Sequence, residues 1–390
     1  MTGSKKIAIV SNSTWNIFNF RLNLIRKLKN KGYQIIVIAP IDEYISYLNE
    51  SYFTKHIPLK KLNSQGKSPL GDLRLTLELY KIYKKEKPDV VLNYTIKPNI
   101  YGSLAANWAG ISSISIITGL GYTFLNPSFT NNFVPWLYKL AFRKINKLVV
   151  YNSNDLSFFV KNNFISKNKS IIIPGSGVNS NYFRPLSNPR NDNKFVFLFI
   201  GRLLYDKGVE EYAEASKQVR QIAKNAECWI VGELSPSNPS AVSKSKFFNW
   251  IESKNIRYFG TTKDIRGYIK QADVVVLPSY REGVPRAILE AMSMEKPIIT
   301  TDVAGCNDTV EEGENGFIVP PKDSVALARA MIQMYLQSAE ELEIMGKKSR
   351  QYVLERFDDK IITKSYLKLL REVLHTFPDV KSKRKGQAIL

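Results

Sequence analysis

Short, uniformly apolar runs recur along this chain, each closed by a turn and followed by a stretch with apolar residues at helical spacing. Ile7-Ala8-Ile9-Val10 is the first, followed by the polar turn Ser11-Asn12-Ser13-Thr14 and an amphipathic segment from about Asn19 to Lys31, closed by Gly32. Ile35 to Ala39 is the next run, ended by Pro40, and a helical pattern from Leu73 to Lys85 leads into Val90 to Leu92. Ile114 to Ile117, Leu148 to Tyr151 and Ile171 to Ile173 continue the series. After the Asn- and Pro-rich stretch Leu186 to Lys194 it resumes with Phe195 to Ile200, Cys228 to Val231, Tyr258-Phe259 and Val274 to Leu277. Strands alternating with helices predict doubly wound parallel sheets, and β-branched runs with no polar alternation suit strands covered on both faces. From Ser324 to Leu374 the pattern is helical throughout. A chain of 390 residues is long for one core, so the break at Leu186 predicts an α/β domain over residues 1–185 and a second over 186–360. The basic segment 379–390 reads as a loose tail.

Charge changes the picture more than composition does. The formal net charge is +21, and residues 1–190 carry 26 Lys and Arg against 8 Asp and Glu, a balance of +18. A one-sided positive field calls for an anionic partner: nucleic acid, an acidic membrane surface or a phosphorylated substrate. The segment Phe133 to Lys144 sets Trp136, Tyr138 and Phe142 among Lys139, Arg143 and Lys144 at helical spacing. It fits either a half-buried surface helix with snorkelling cations or a helix lying at a bilayer interface. No apolar run is long enough to span a bilayer, and the first strand is too short for a signal peptide. Two cysteines without metal-like spacing, Cys228 and Cys306, argue for a reducing compartment. The expected location is therefore cytoplasmic, at the inner face of the cell membrane if the basic half binds lipid.

Candidate chemistry sits in the turns that follow the strands. The unit Asp273 to Met292 packs a buried strand, a sharp loop and a helix start together, with Pro285 at the expected first helical position. Strand end followed by helix start is where open α/β sheets bind ligands, and free amides at the helix start attract anions. Glu282, Gly283 and Val284 lie in that loop and Glu290 on the helix. Past Phe195–Ile200 comes Gly201-Arg202, then Lys207, a glycine with two cations suited to a diphosphate. Gly232 and Thr262 lie in later strand-end loops. In the first half the corresponding turns hold Ser13 and Thr14, then Lys97, then Gly119 and Gly121, where a tight turn is as good a reading of the glycines as a ligand contact. The first turn lacks a G-x-G-x-x-G fingerprint, and the chain has no Asp-x-Asp pair to hold a hard cation.

The spacing Glu282-x7-Glu290, together with Lys296-Pro297-Ile298-Ile299 and Gly313-Glu314-Asn315-Gly316-Phe317 downstream, resembles the retaining glycosyltransferases of family 4. The resemblance implies the GT-B fold: two Rossmann-like domains with a cleft between them and a terminal helix, here 361–378, returning to the first domain. It implies that Arg202 and Lys207 neutralise the leaving nucleoside diphosphate, that Glu282 holds the transferred sugar and that Glu290 accepts hydrogen bonds from the ribose. Gly201, Gly232, Thr262, Gly283, Val284 and Pro285 would complete the donor site, and Ser13, Thr14, Lys97, Gly119 and Gly121 would face the acceptor. A UDP-sugar donor, N-acetylhexosamine ahead of hexose, and a polyprenyl-diphosphate-linked or other glycolipid acceptor follow from the same resemblance, with no metal and no cofactor. Two departures stand out: Asn179 replaces the usual Asp in Gly177-Val178-Asn179, and the His that many members carry in the first domain has no counterpart, since the only histidines are His56 and His375. A GT-B-fold sugar-nucleotide epimerase would lack the donor-loop pattern. A basic nucleic-acid-binding protein would leave the two glutamates unexplained, so no nucleic-acid partner is expected.

Overall fold

The computed structural model describes residues 4–47, 52–63, 68–120, 133–186, 193–235 and 238–376. The chain divides into two compact units, one of Met1–Ile173 with Ile362–Leu390 and the other of Pro174–Ile361.

The first unit is built on a sheet of seven parallel strands: β1 Lys6–Val10, β2 Gln34–Ala39, β3 Lys55–Pro58, β4 Val90–Tyr94, β5 Ser112–Ile117, β6 Lys147–Val150 and β7 Ser170–Ile172. Their order is β3-β2-β1-β4-β5-β6-β7, so the chain reverses direction across the sheet between β1 and β4. The apolar runs are buried on both faces, as helices on either side of a parallel sheet require. The second sheet has six strands: β8 Phe195–Ile200, β9 Ala226–Val231, β10 Arg257–Tyr258, β11 Val274–Leu277, β12 Ile298–Thr301 and β13 Gly316–Val319. Their order, β10-β9-β8-β11-β12-β13, is the doubly wound pattern whose reversal falls between β8 and β11.

Differences from the sequence reading have local causes. The helical pattern Asn19–Lys31 is two helices, Thr14–Phe20 and Leu22–Asn30, broken at Arg21, whose side chain turns inward. Ser324–Leu374 is three helices, Ser324–Tyr335, Ala339–Arg356 and Asp359–Thr376. The second starts at a capping box in which Ser338 and Glu341 satisfy each other's backbone amides. The segment Pro174–Pro185 packs with the second unit: the Val178 amide bonds the Phe357 carbonyl, Ser180 bonds Asp358, and the Phe183 carbonyl accepts from Ser293. The terminal helix Asp359–Thr376 contributes its residues from Ile362 onward to the first unit. Residues 377–378 of the expected returning helix and the tail 379–390 lie outside the described residues.

Strand β9 carries a test of stability. Burial favours the neutral form of the Glu227 carboxyl, but hydrogen bonds from Lys194, the Trp229 indole and Arg257 outweigh it and hold the group down to about 2. A carboxyl held below its ordinary value of 4.5 stabilises the fold above that pH, and the contribution drains away as the pH falls from there toward about 2. Glu227→Gln is expected to lower the unfolding free energy near pH 7 by on the order of 2 kcal/mol. Urea unfolding at several pH values should show the wild type and the variant converging in acid.

Candidate active site

The second sheet reverses between β8 and β11, and the loops leaving their carboxyl ends meet. Lys207, in the turn after β8, forms an ion pair with Glu282, in the loop after β11. The Ser279 hydroxyl donates to the same Glu282 oxygen at 2.9 Å, and the Glu282 amide donates to the Ala304 carbonyl at 3.1 Å. The loop is pinned from below by Thr300 and Thr301 of β12, whose hydroxyls donate to the carbonyls of Leu277 and Ser279. It is pinned from the side by the Tyr280 hydroxyl, which donates to Glu211 at 2.6 Å, and by the Tyr280 amide on the Asp206 carbonyl. Two glycines let the backbones approach this closely. A Cβ at Gly208 would fall on the Pro278 carbonyl, and one at Gly305, where φ is +80°, would fall on the Glu282 and Gly283 carbonyl oxygens. Cys306 lies buried next to this loop; burial, helped by the Glu282 carboxylate, pushes its thiol up to about 12 and keeps it neutral.

Glu290 lies one helix further on, paired with Arg286 at 2.7 Å and with 13% of its side chain exposed. Burial raises its pKa against the pull of Arg286, with Asp264 adding to the rise. It is therefore an enclosed carboxyl, not a solvated surface charge. Pro285 is the N-cap with extended ψ, so the helix proper begins at Arg286. Val284 packs where a Cβ on Gly175 would stand, and Gly283 is buried. Gly201 and Gly232 touch backbone to backbone across the ends of β8 and β9, since a Cβ at Gly232 would overlap the Gly201 carbonyl. Arg202 is exposed and makes no ion pair among the described residues. The Thr262 hydroxyl closes its own turn by bonding Asp264, whose carboxylate is held by Arg266.

In the first unit the expected acceptor residues are drawn into local structure. Ser13 caps the helix Thr14–Phe20, and Thr14 is buried with its hydroxyl on Asp42. Lys97 is paired with Asp72 at 2.5 Å, and Tyr101 donates to the other Asp72 oxygen. Thr95, just past β4, has a φ of 71°, an uncommon conformation for a β-branched residue. Gly119 has a φ of 133°, which glycine allows, and Gly121 lies outside the described residues. A buried cluster that the sequence pattern does not announce lies at the carboxyl ends of β4 and β6. The Arg21 guanidinium stacks 4.0 Å from the centre of the Tyr94 ring and donates to the Tyr151 hydroxyl at 2.8 Å, with Tyr366 of the terminal helix beside them. The sequence carries no local trace of it, since Arg21 falls within the segment Asn19 to Lys31 that reads as one amphipathic helix. Among the described residues no group of three or more His, Cys, Asp or Glu side chains is placed to hold a metal ion.

Residues 194–337 match the family described as Glycosyl transferases group 1, and residues 6–152 match the family described as Glycosyl transferase 4-like. The chain is 28% identical over 385 residues to the N,N'-diacetylbacillosaminyl-diphospho-undecaprenol alpha-1,3-N-acetylgalactosaminyltransferase of Campylobacter jejuni, covering 95% of this chain and 99% of that one. It is also 28% identical, over 347 residues, to the UDP-Gal:alpha-D-GlcNAc-diphosphoundecaprenol alpha-1,3-galactosyltransferase of Escherichia coli, covering 85% of this chain and 87% of that one. Among solved structures, a glycosyltransferase from Rickettsia africae superposes with a TM-score of 0.77 at 21% identity, covering 95% and 99% of the two chains. Anabaena HepE, crystallised in complex with UDP, superposes with a TM-score of 0.77 at 19% identity, covering 94% of this chain and 100% of its own. Two parallel-sheet domains, each matched by its own family, and relatives matched over most of their length lead to one conclusion: the chain belongs to the group 1, family-4-like glycosyltransferases of GT-B fold.

Proposed function

We propose that the protein transfers a sugar, N-acetylhexosamine or hexose, with retention of configuration, from a UDP-sugar to a polyprenyl-diphosphate-linked acceptor at a membrane surface. The observation that carries this reading is the Lys207–Glu282 pair, held where the second sheet reverses, the position at which open α/β sheets bind nucleotides. The Campylobacter and Escherichia coli relatives are both named for diphospho-undecaprenol-linked acceptors, which supports the acceptor class, and the second is named for a UDP-sugar, which supports the donor.

A departing diphosphate gathers negative charge, and fixed cations stabilise it most when they are already in place. Lys207 is held by Glu282 and Ser279 through Glu282, while Arg202 is exposed and available to swing onto a phosphate. The amides at the start of the helix Arg286–Ser293 add a partial positive charge. Glu282 would take hydroxyls of the transferred sugar, and its bond with Lys207 couples sugar placement to phosphate charge. Glu290 would receive the ribose hydroxyls, an enclosed carboxylate being a strong acceptor once a donor group replaces water. With these cations on the diphosphate, the reading needs no metal.

The test is a panel of UDP- and GDP-sugars read by thermal shift, since a ligand that binds only the native state raises its melting temperature. UDP-sugars are expected to shift the transition and GDP-sugars not. Glu290→Gln should weaken UDP itself by about tenfold, the loss of one charge-assisted hydrogen bond. Unchanged UDP affinity in that variant would remove Glu290 from the ribose site.

A further inference from the structure

The first unit presents an apolar and basic face that its core does not account for. The helix Pro69–Glu86 buries Leu75, Thr76, Leu79 and Tyr83, yet it also turns Leu70, Leu73 and Leu77 outward at i, i+3 and i+7. It packs on the residues Pro98–Ala109, which in turn pack on the helix Phe133–Phe142. That last helix is only partly an outward aromatic surface: Tyr138 and Phe142 are buried against Phe159, leaving Trp136 and Leu140 outside. With Trp108 between them, the six outward side chains are 41% to 69% exposed. Two residues would make a poor membrane anchor; a leucine ridge along one helix, with further outward apolar side chains on the helices packed in series beside it, offers more.

The charges of the same face are sorted. Exposed cations interleave with the leucines at Arg74, Lys81, Lys84 and Lys85, and Lys139, Arg143 and Lys144 continue the series. The three acids of the first helix are engaged inside the unit. Asp72 takes Lys97 and Tyr101, Glu78 accepts the Lys60 and Lys61 amides, and Glu86 pairs with Lys55. The segments 98–109 and 133–144 contain no acid at all. What this face offers solvent is therefore hydrocarbon and positive charge, the combination that fits an anionic lipid surface. A soluble acidic partner would use the cations and leave the leucines exposed to water for no gain.

We infer that the outward face of the helix Pro69–Glu86, continued by Trp136 and Leu140, docks the protein on anionic phospholipid. This deepens the membrane-acceptor reading and rests on it for its biological sense, but it is testable separately. Sedimentation with phosphatidylcholine vesicles, with or without about one third phosphatidylglycerol, measures partitioning over a salt series. The wild type is expected to bind the anionic vesicles at low salt and to be released as salt rises. The triple variant Leu70→Asp, Leu73→Asp, Leu77→Asp should lower the partition coefficient at least about tenfold. The pair Arg74→Ala, Lys81→Ala should weaken binding to the anionic vesicles alone. Transfer to a detergent-free, short-prenyl diphosphate-linked acceptor in solution serves as the control, and the leucine variant should retain it. Vesicle binding that follows the leucines without any transfer to the soluble acceptor would overturn the acceptor reading and leave the surface standing. Wild type that stays in the supernatant, or binding that the leucine variant keeps in full, overturns the surface. So does a vesicle-free self-association abolished by the same substitutions, which would make a second copy the occupant.

Discussion

Glu282→Gln is expected to lower kcat by about two to three orders of magnitude while leaving UDP affinity unchanged or raised. The asymmetry follows from the pair. Glu282 holds the Lys207 ammonium in the unliganded site, so a neutral amide at 282 releases that charge to a bound diphosphate. The rate falls because the transferred sugar loses the carboxylate that orients it, and a small misplacement of reacting atoms is costly. Steady-state kinetics beside UDP titration calorimetry separates the two effects. Wild-type rates in the variant would sink the assignment.

Lys207→Ala should also lose about two to three orders of magnitude in kcat/KM, with UDP weakened about tenfold and uridine bound as before. Free uridine has no phosphates, so it reports on the base and ribose subsites alone. Because Lys207 and Glu282 touch, the double variant should cost much less than the product of the single losses. Full additivity would mean that the two side chains act independently, and full turnover in Lys207→Ala would make the turn after β8 a structural device.

The second unit was legible because its strands are short, wholly apolar and separated by turn residues. Phe195–Ile200 and Val274–Leu277 have in the structure the bounds that their apolar runs have in the sequence. The Lys207–Glu282 contact was less legible: two residues far apart in the chain meet because β8 and β11 are neighbours, and strand order is not written in any local pattern. Pattern reading also failed where polar residues take core positions. Arg21 reads as one more outward cation of an amphipathic helix, yet it is 3% exposed and stacked on tyrosine. Lys97 reads as a strand-end loop cation facing the acceptor; its partner Asp72 lies on the helix Pro69–Glu86, and the ion pair joins them. β3 escaped because Lys55–Pro58 is too short and too polar to show a strand period.

The Arg21 cluster bears on the order in which the chain can mature during synthesis. Arg21 is made early, but Tyr366, against which it is packed, comes after the whole of the second unit. Pro174–Ile361 is continuous and emerges complete, whereas the first unit waits for the helix Asp359–Thr376. Until that helix arrives, the guanidinium lacks one of the three tyrosines that stand beside it in the complete unit. In chain order, then, the unit whose strands are made first is the one whose residues are completed last.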